Sequence, residues 1–212
     1  MRYVFFLAML LFSFQFSYSQ TFGIPQSKDD TSTAVSYRID TTLKSEIEQE
    51  MNMWKEQNKH KKFEGLMDNE IFINDVETSS TYKKNKDEYF FPFVDLNEKD
   101  SIIQIVGTAG TPKFGSGFRI IIHKTECIVL YLIKYDGNKI FKQKKNDSTY
   151  KSFVFVRTQY HLTLTKKPLF KKGEIIQGRV ELRSYPFYSK GNDEDKKMNV
   201  NIFANFTTPP LK

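Results

Sequence analysis

The stretch Gly117–Tyr135 constrains the fold of this chain more than any other. It contains two apolar runs separated by the polar residues Lys124, Thr125 and Glu126. Side chains alternate between the two faces of a β-strand, and in the second run both alternating sets are apolar. A strand that is apolar on both faces is typical of the middle of a covered sheet. The pattern therefore predicts a β-hairpin at the centre of a β core, and its charged interruptions exclude a membrane span of ~20 residues.

The first 19 residues have the features of a secretory signal peptide. Arg2 supplies a positive charge, and an apolar run follows over residues 4–14. Ser17 and Ser19 are small residues of the kind that precede a cleavage site. We expect cleavage after Ser19, so that residues 1–19 are removed and no transmembrane segment is left. The alternative is a retained membrane anchor, but the apolar run is shorter than the ~20 residues that a spanning helix needs.

The charge of the chain is positive, but its lysines are dispersed. The sequence has 32 Lys and Arg against 25 Asp and Glu, a net charge of +7. Removing residues 1–19 removes Arg2 alone and leaves 31 against 25, a net charge of +6. The lysines fall in pairs at separate sites, such as Lys83-Lys84 and Lys166-Lys167, and not in one stripe. The positive charge could serve binding to an anionic envelope surface or to nucleic acid, but this distribution favours solubility over both, and no nucleic-acid partner is expected.

The remainder of the chain is predicted to form one domain. Residues 20–36 are rich in Ser, Thr, Asp and Gly, which predicts a flexible leader. A single β-rich domain is predicted over residues 37–208, with 209–212 as a tail. An amphipathic helix is expected near its start, at about residues 42–62. The apolar stripe of this helix consists of Leu43, Ile47, Met51 and Trp54.

Strand patterns dominate the sequence from Ser101 onwards. Ser152–Thr165 alternates without a phase break, which predicts one long strand. Two later strands alternate as half-buried antiparallel strands do, with Val180 and Ile202 on their inward faces. The whole pattern indicates about eight or nine strands separated by short turns. It predicts a mainly-β fold, an antiparallel β-sandwich or a flattened barrel, preceded by one amphipathic α-helix.

The sequence contains no clear metal-binding or calcium-binding motif. The histidines His60, His123 and His161 lack the spacing of a helical or finger-type metal site. A site formed by His123, His161 and Cys127 stays open if their strands are neighbours. However, a lone cysteine in an apolar strand is typical of an inert buried side chain. The acidic run Asn192–Asp195 does not match a calcium-binding loop. We therefore predict no cofactor and no metal-binding residue.

An enzyme is the less favoured class for this chain. Glu126, Glu174 and Glu181 are the acids that a hydrolytic cleft could use, but their spacing selects no pair. The chain has no nucleophile elbow of the Gly-x-Ser-x-Gly type and no glycine-rich phosphate loop. No catalytic residue is predicted. With a single cysteine the chain also forms no internal disulfide.

Two aromatic clusters beside prolines are the candidates for a binding site. The predicted partner-binding residues are Tyr89, Phe91, Phe93, Tyr185, Phe187 and Tyr188. Aromatic side chains on stiff loops are common anchors for proteins and glycans. The alternative is that both clusters plug the ends of the sandwich. The proline in the first cluster, Pro92, also places that cluster outside a central strand, because proline donates no ladder hydrogen bond.

These patterns predict an exported, non-enzymatic β domain that acts in binding or assembly in the cell envelope, the periplasm or the extracellular space. The expected partner is a protein or glycan of the envelope. The first alternative is a β-barrel that carries a small apolar ligand. Its interior would be lined by Phe118, Tyr131, Phe153 and Phe155. The second alternative is a hydrolase whose acidic site no motif marks.

Overall fold

The computed structural model describes residues 35–57, 66–75, 80–83, 91–110 and 114–212. The predicted signal peptide, most of the predicted leader and the end of the predicted helix lie outside these residues. Within them the chain forms one helix, α1 (Leu43–Gln57), and thirteen strands. The strands are β1 (Val35–Ser36), β2 (Arg38–Ile39), β3 (Leu66–Asp75), β4 (Ser80–Lys83), β5 (Phe91–Asn97), β6 (Ile102–Gly110), β7 (Phe114–His123), β8 (Glu126–Tyr135), β9 (Phe141–Lys142), β10 (Phe153–Leu164), β11 (Gln177–Ser184), β12 (Phe187–Ser189) and β13 (Lys196–Thr207).

The strands form an open and mainly antiparallel sheet. Across the described ranges, nine strands are hydrogen-bonded in the order β4-β3-β13-β11-β10-β8-β7-β6-β5. The short strands β1, β2, β9 and β12 pair outside this path, and β2 runs parallel to β10. The end strands β4 and β5 are not paired with each other, so the sheet is not closed into a barrel. The predicted mainly-β antiparallel fold with one preceding helix is confirmed, and the closed-barrel alternative is wrong.

Strand β10 belongs to two halves of this sheet. Its residues Phe153–Arg157 pair with β8, and its residues Thr158–Leu164 pair with β11. We name the half β5-β6-β7-β8-β10 sheet A and the half β10-β11-β13-β3-β4 sheet B. Buried side chains from both halves form a single hydrophobic core, as in a sandwich in which one strand passes from one sheet to the other. The prediction of one long strand over this stretch is confirmed.

Side-chain hydrogen bonds replace strand pairing where β10 leaves sheet A. The Thr158 hydroxyl donates to the Val129 carbonyl at 2.6 Å. The Tyr160 hydroxyl donates to the Cys127 carbonyl, also at 2.6 Å. Both carbonyls belong to the part of β8 that precedes its pairing with β10. The two hydroxyls therefore satisfy acceptors that the departing backbone of β10 no longer reaches.

The segment 35–40 runs along the edge that β10 leaves open. Strand β1 pairs with the start of β8, and β2 pairs with the end of β10. Between them, the Tyr37 hydroxyl donates to the Lys124 carbonyl at 2.7 Å. Val35 and Ser36 thus already belong to the sheet, two residues before the predicted domain start at residue 37.

The predicted central hairpin is present as β7 and β8, but only one of its faces lies in the core. Phe118 and Tyr131 are cross-strand partners on the inward face, and both are fully buried. On the opposite face of β8, Leu132 is buried but Ile128 and Leu130 are only half-buried. The expectation of a strand covered on both faces is therefore wrong for this outer face. The physical reason is that α1 packs on the other half of the sheet.

Helix α1 lies against the outer face of sheet B. Leu43 and Ile47 of its predicted apolar stripe are buried. Arg179 of β11 donates a hydrogen bond to Glu46 of the helix. A second contact joins the helix to β13, where the Asn205 amide donates to the helix residue Glu50 at 2.8 Å. No helix in the described residues has the length and apolar content that crossing a membrane requires.

A pair of aspartate substitutions tests the assigned strand faces. Val180 is fully buried on β11, so Val180→Asp puts an unpaired charge in the core. We expect a loss of roughly 3 kcal/mol or more in the free energy of unfolding. Gln159→Asp adds the same charge to the exposed face of β10 and should cost less than about 1 kcal/mol. Chemical denaturation measures both, and equal losses would show that the faces are assigned wrongly.

Candidate functional site

The structure separates the six predicted partner-binding residues. Tyr89 lies outside the described residues, and Phe91 is the first residue of β5. Phe93, on the same strand, is 57 % exposed, and Tyr185, just after β11, is 49 % exposed. Tyr188 on β12 is half-buried. Strand β5 is the edge strand at one end of the described sheet. An edge position suits the proline in this cluster, because proline has no N–H group to donate to a neighbouring strand.

Phe187 is a core residue and not a surface anchor. Its side chain is 1 % exposed. The centroid of its ring lies 5.6 Å from that of Tyr131 and 6.4 Å from that of Phe141. The second aromatic cluster is therefore divided. Phe187 plugs the core, which is the alternative that the sequence allowed, whereas Tyr185 faces solvent.

Exposed members of both clusters lie along one row of sheet A. Cross-strand pairing from β5 to β10 joins Phe93, Val106, Arg119, Leu130 and Arg157. Residues paired in this way project from the same face of a sheet. At the end of the row, the Tyr185 amide donates to the Arg157 carbonyl at 2.8 Å. Two clusters that are far apart in sequence thus contribute to one continuous surface.

Phe153 and Phe155 extend this surface beside Arg119. Their rings meet edge to face, with 4.8 Å between centroids and 85° between planes. The Arg119 guanidinium carbon lies 5.4 Å from the centroid of the Phe155 ring. Phe153 is 39 % exposed, whereas Phe118 and Tyr131 are fully buried. The hypothesis of one interior lined by these four aromatic residues is therefore wrong, because β10 turns Phe153 and Phe155 away from the core.

We name this surface the aromatic face. It consists of Phe93, Val106, Arg119, Leu130, Phe153, Phe155, Arg157 and Tyr185. Its charged groups are two guanidinium groups, one of which also donates to the Gln104 side chain. At its margin, Lys134 forms an ion pair with Asp136 at 3.0 Å. The aromatic face therefore offers flat apolar rings beside positive charge, an arrangement suited to stacking and to acidic groups.

The histidines and the cysteine do not form the metal site that the sequence left open. His123 is paired with Glu126 at the end of the central hairpin, and His161 is paired with Glu181 on sheet B. Cys127 is buried, and burial raises the pKa of its thiol to about 11, which keeps it protonated at neutral pH. No set of three His, Cys, Asp or Glu side chains suited to a metal ion occurs in the part of the chain that the structure describes. The third histidine lies outside that part.

The three candidate catalytic acids have different surroundings. Glu174 is buried in the loop between β10 and β11, where the Leu169 amide donates to its carboxylate at 2.9 Å. Glu126 and Glu181 are exposed, on β8 and β11 respectively. Glu174 thus organises a loop, and the geometry selects no pair of acids for hydrolysis.

Asp195, from the predicted acidic run, anchors its loop through an ion pair. The Lys142 Nζ atom lies 2.5 Å from the Asp195 carboxylate, and the Tyr150 hydroxyl donates to the same carboxylate. The Lys142 ammonium also lies 5.0 Å from the centroid of the Tyr150 ring. Hydrogen bonds from Lys142 and Tyr150 hold the pKa of Asp195 below its usual range, and the bond to Asp195 raises the pKa of Lys142. This cluster ties the 190–195 loop to β9.

Comparison with protein-family profiles, curated proteins and solved structures yields no match for this chain. The assignment of a functional surface therefore depends on the geometry of the chain itself.

Sequence patterns alone miss six of the eight residues of the aromatic face. Phe153 and Phe155 share their phase on β10 with the polar residues Arg157 and Gln159, which is a signal for an outward position. The position of Arg119 beside Phe155 carries no such signal. It depends on the register between β7, β8 and β10, which alternation within one strand does not determine.

The Asp195 ion pair predicts a pH-dependent difference in stability. The pKa of Asp195 is lowered in the folded protein, so its contribution is full above the unfolded value of about 3.9 and is lost as the pH falls through the folded value. We expect Asp195→Asn to lower the melting temperature near neutral pH, and the gap to the wild type to close in acid. Asp193→Asn, an exposed position in the same loop, is the control and should show little gap at either pH. A gap that widens on acidification would contradict the assignment.

Proposed function

We propose that this chain is an exported β domain that acts by binding a partner in the cell envelope, the periplasm or the extracellular space, with the aromatic face as its binding surface. The observation that carries the proposal is the row that joins Phe93 to Tyr185 on one side of sheet A, with both side chains at the surface. A contiguous patch of exposed apolar side chains is typical of an interaction site. Export is supported by the signal-peptide pattern of residues 1–19.

The side chains of the aromatic face suit a protein partner. Tyrosine, phenylalanine and arginine are enriched in protein interfaces, and a few such residues supply most of the binding energy. Here Arg119 lies beside Phe155, and the Arg157 backbone binds that of Tyr185. A segment with aromatic or acidic side chains would find stacking surfaces and charge partners together. A glycan, which would stack on the same rings, is the alternative ligand.

The strand pairing of sheet A also favours binding by this surface. The row lies on five hydrogen-bonded strands, β5, β6, β7, β8 and β10, so the backbone positions of its members are fixed before a partner arrives. A preorganised surface loses less conformational entropy on association than a flexible loop does. The rings of Phe153 and Phe155 are further restrained by their contact with each other.

Neither alternative function gains support from a specific contact. A carrier of an apolar ligand would need its aromatic side chains to share one interior, but Phe153 and Phe155 face outward. A hydrolase would need two acids across a cleft, and Glu174 instead accepts hydrogen bonds from loop amides. Binding through the aromatic face is therefore the function that we retain.

Site-specific photo-crosslinking in the native host tests this proposal. A benzophenone amino acid in place of Phe153 should capture a discrete partner. The matched control is Phe203, which is also 39 % exposed but lies on sheet B. Adding Phe93→Ala and Tyr185→Ala should reduce the yield at position 153 about ten-fold or more, because each lost anchor costs ~1–3 kcal/mol of binding free energy.

Both alanine substitutions fall on exposed side chains, so the melting temperature should stay close to that of the wild type. The same captured species from positions 153 and 203 would contradict a specific aromatic face. An undiminished yield in the double-alanine variant would contradict it as well.

A further inference from the structure

The loop 166–175 between β10 and β11 presents apolar side chains to solvent among lysines. Leu169 is 63 % exposed, the highest value among the large apolar side chains that the structure describes. Ile175 is also exposed. The lysines of the loop, all of them exposed, are Lys166, Lys167, Lys171 and Lys172. This combination of apolar and cationic groups is separate from the aromatic face.

Hydrogen bonds at the base of the loop hold Leu169 outward. The Leu169 and Phe170 amides donate to the buried carboxylate of Glu174 at 2.9 and 3.1 Å. The Gly173 amide donates to the Leu211 carbonyl at 2.8 Å. Phe170 has a φ of 56°, which a bulky residue adopts only where its surroundings impose it. The loop is thus a shaped element whose apolar tip is kept away from the core.

The exposed charge of the loop has one sign. Glu174 is its single acidic residue, its side chain is 3 % exposed, and Lys166 lies 3.4 Å from its carboxylate. From the neighbouring β5–β6 turn, Glu98 accepts a hydrogen bond from the Lys172 backbone amide at 3.2 Å. An apolar tip flanked by ammonium groups complements a bilayer surface, where anionic headgroups cover an apolar interior. Lys167 and Lys171 are the ammonium groups nearest to Leu169 in sequence.

We infer that the loop 166–175 docks this domain onto an anionic phospholipid bilayer. Leu169 enters the boundary between headgroups and acyl chains, and the flanking lysines contact the headgroups. The inference goes beyond the proposed function of the aromatic face. The substitutions that test the loop differ from those that test the aromatic face, so either proposal can fail while the other stands.

Vesicle binding by the full chain tests this inference. The wild type is expected to bind vesicles with about one third phosphatidylglycerol more strongly than pure phosphatidylcholine vesicles. Leu169→Ser should lower the partition coefficient about ten-fold, because it removes the apolar contact. The double change Lys167→Gln and Lys171→Gln should lower it about 20-fold at low salt. All variants keep the apolar residues 4–14, so they differ from the wild type only at the substituted positions.

Two matched controls remove the same chemistry from other places. Met53→Ser changes an exposed apolar residue on α1. Lys144→Gln with Lys145→Gln removes two exposed charges from a different turn. Neither control should change the partition coefficient more than about two-fold, since these groups lie outside the loop 166–175 that the inference assigns to the bilayer. A loss with the control lysines equal to that with the loop lysines would overturn the inference in favour of diffuse charge attraction.

A fluorescent label reports insertion of the loop directly. The natural cysteine, Cys127, is buried, so Leu169→Cys supplies an accessible thiol for an environment-sensitive nitrobenzoxadiazole dye. Its emission should rise and shift to shorter wavelength on anionic vesicles, while the same dye at Met53→Cys stays in water. A dye at position 169 that stays in water would overturn the inference. The inference would also be overturned if this loop captured a protein while Leu169→Ser left vesicle binding unchanged.

Discussion

The passage of β10 from sheet A to sheet B is the constraint on which the rest of the structure depends. One uninterrupted strand supplies an edge to each half, so the inward side chains of both halves meet in a single core. Where β10 leaves sheet A, part of β8 loses its pairing with β10. There the Thr158 and Tyr160 hydroxyls donate hydrogen bonds to two carbonyls of β8. The segment 35–40 lies along the remaining edge. These contacts avoid the cost of buried backbone groups without hydrogen-bond partners.

The same strand determines which side chains reach the surface. Because β10 keeps one alternation along its whole length, Val154 and Leu162 face the core in different halves of the sheet. The outward phase carries the rings of Phe153 and Phe155 in sheet A and polar residues such as His161 in sheet B. Among the described elements, the helix packs on sheet B. The outer face of sheet A therefore keeps aromatic groups at the surface, where binding becomes possible.

Alternation within a strand made much of this fold predictable. The phases of β10, β11 and β13 follow from local sequence, and so does the turn at Gly137, whose φ is 88°. Local patterns are less informative after that turn, where β9 is only two residues long. Local patterns also could not predict that Tyr185 is exposed while Phe187 is buried, because the inward–outward alternation is interrupted between β11 and β12. That Phe93 and Tyr185 lie at the two ends of one row depends on the register between strands that are distant in sequence, which local patterns do not determine.

The most direct test of the shared outer face is the distance across it. Cys127 is buried, so spin labels can be placed at Phe93→Cys and Arg157→Cys without labelling the natural cysteine. Four strand spacings of ~4.8 Å separate these two positions in the row, which corresponds to about 19 Å between their backbones. Double electron–electron resonance should give a single short distance consistent with that value. A distance about twice as long, or two separate populations, would show that the strands are not joined in this order and that the aromatic face does not exist as one surface.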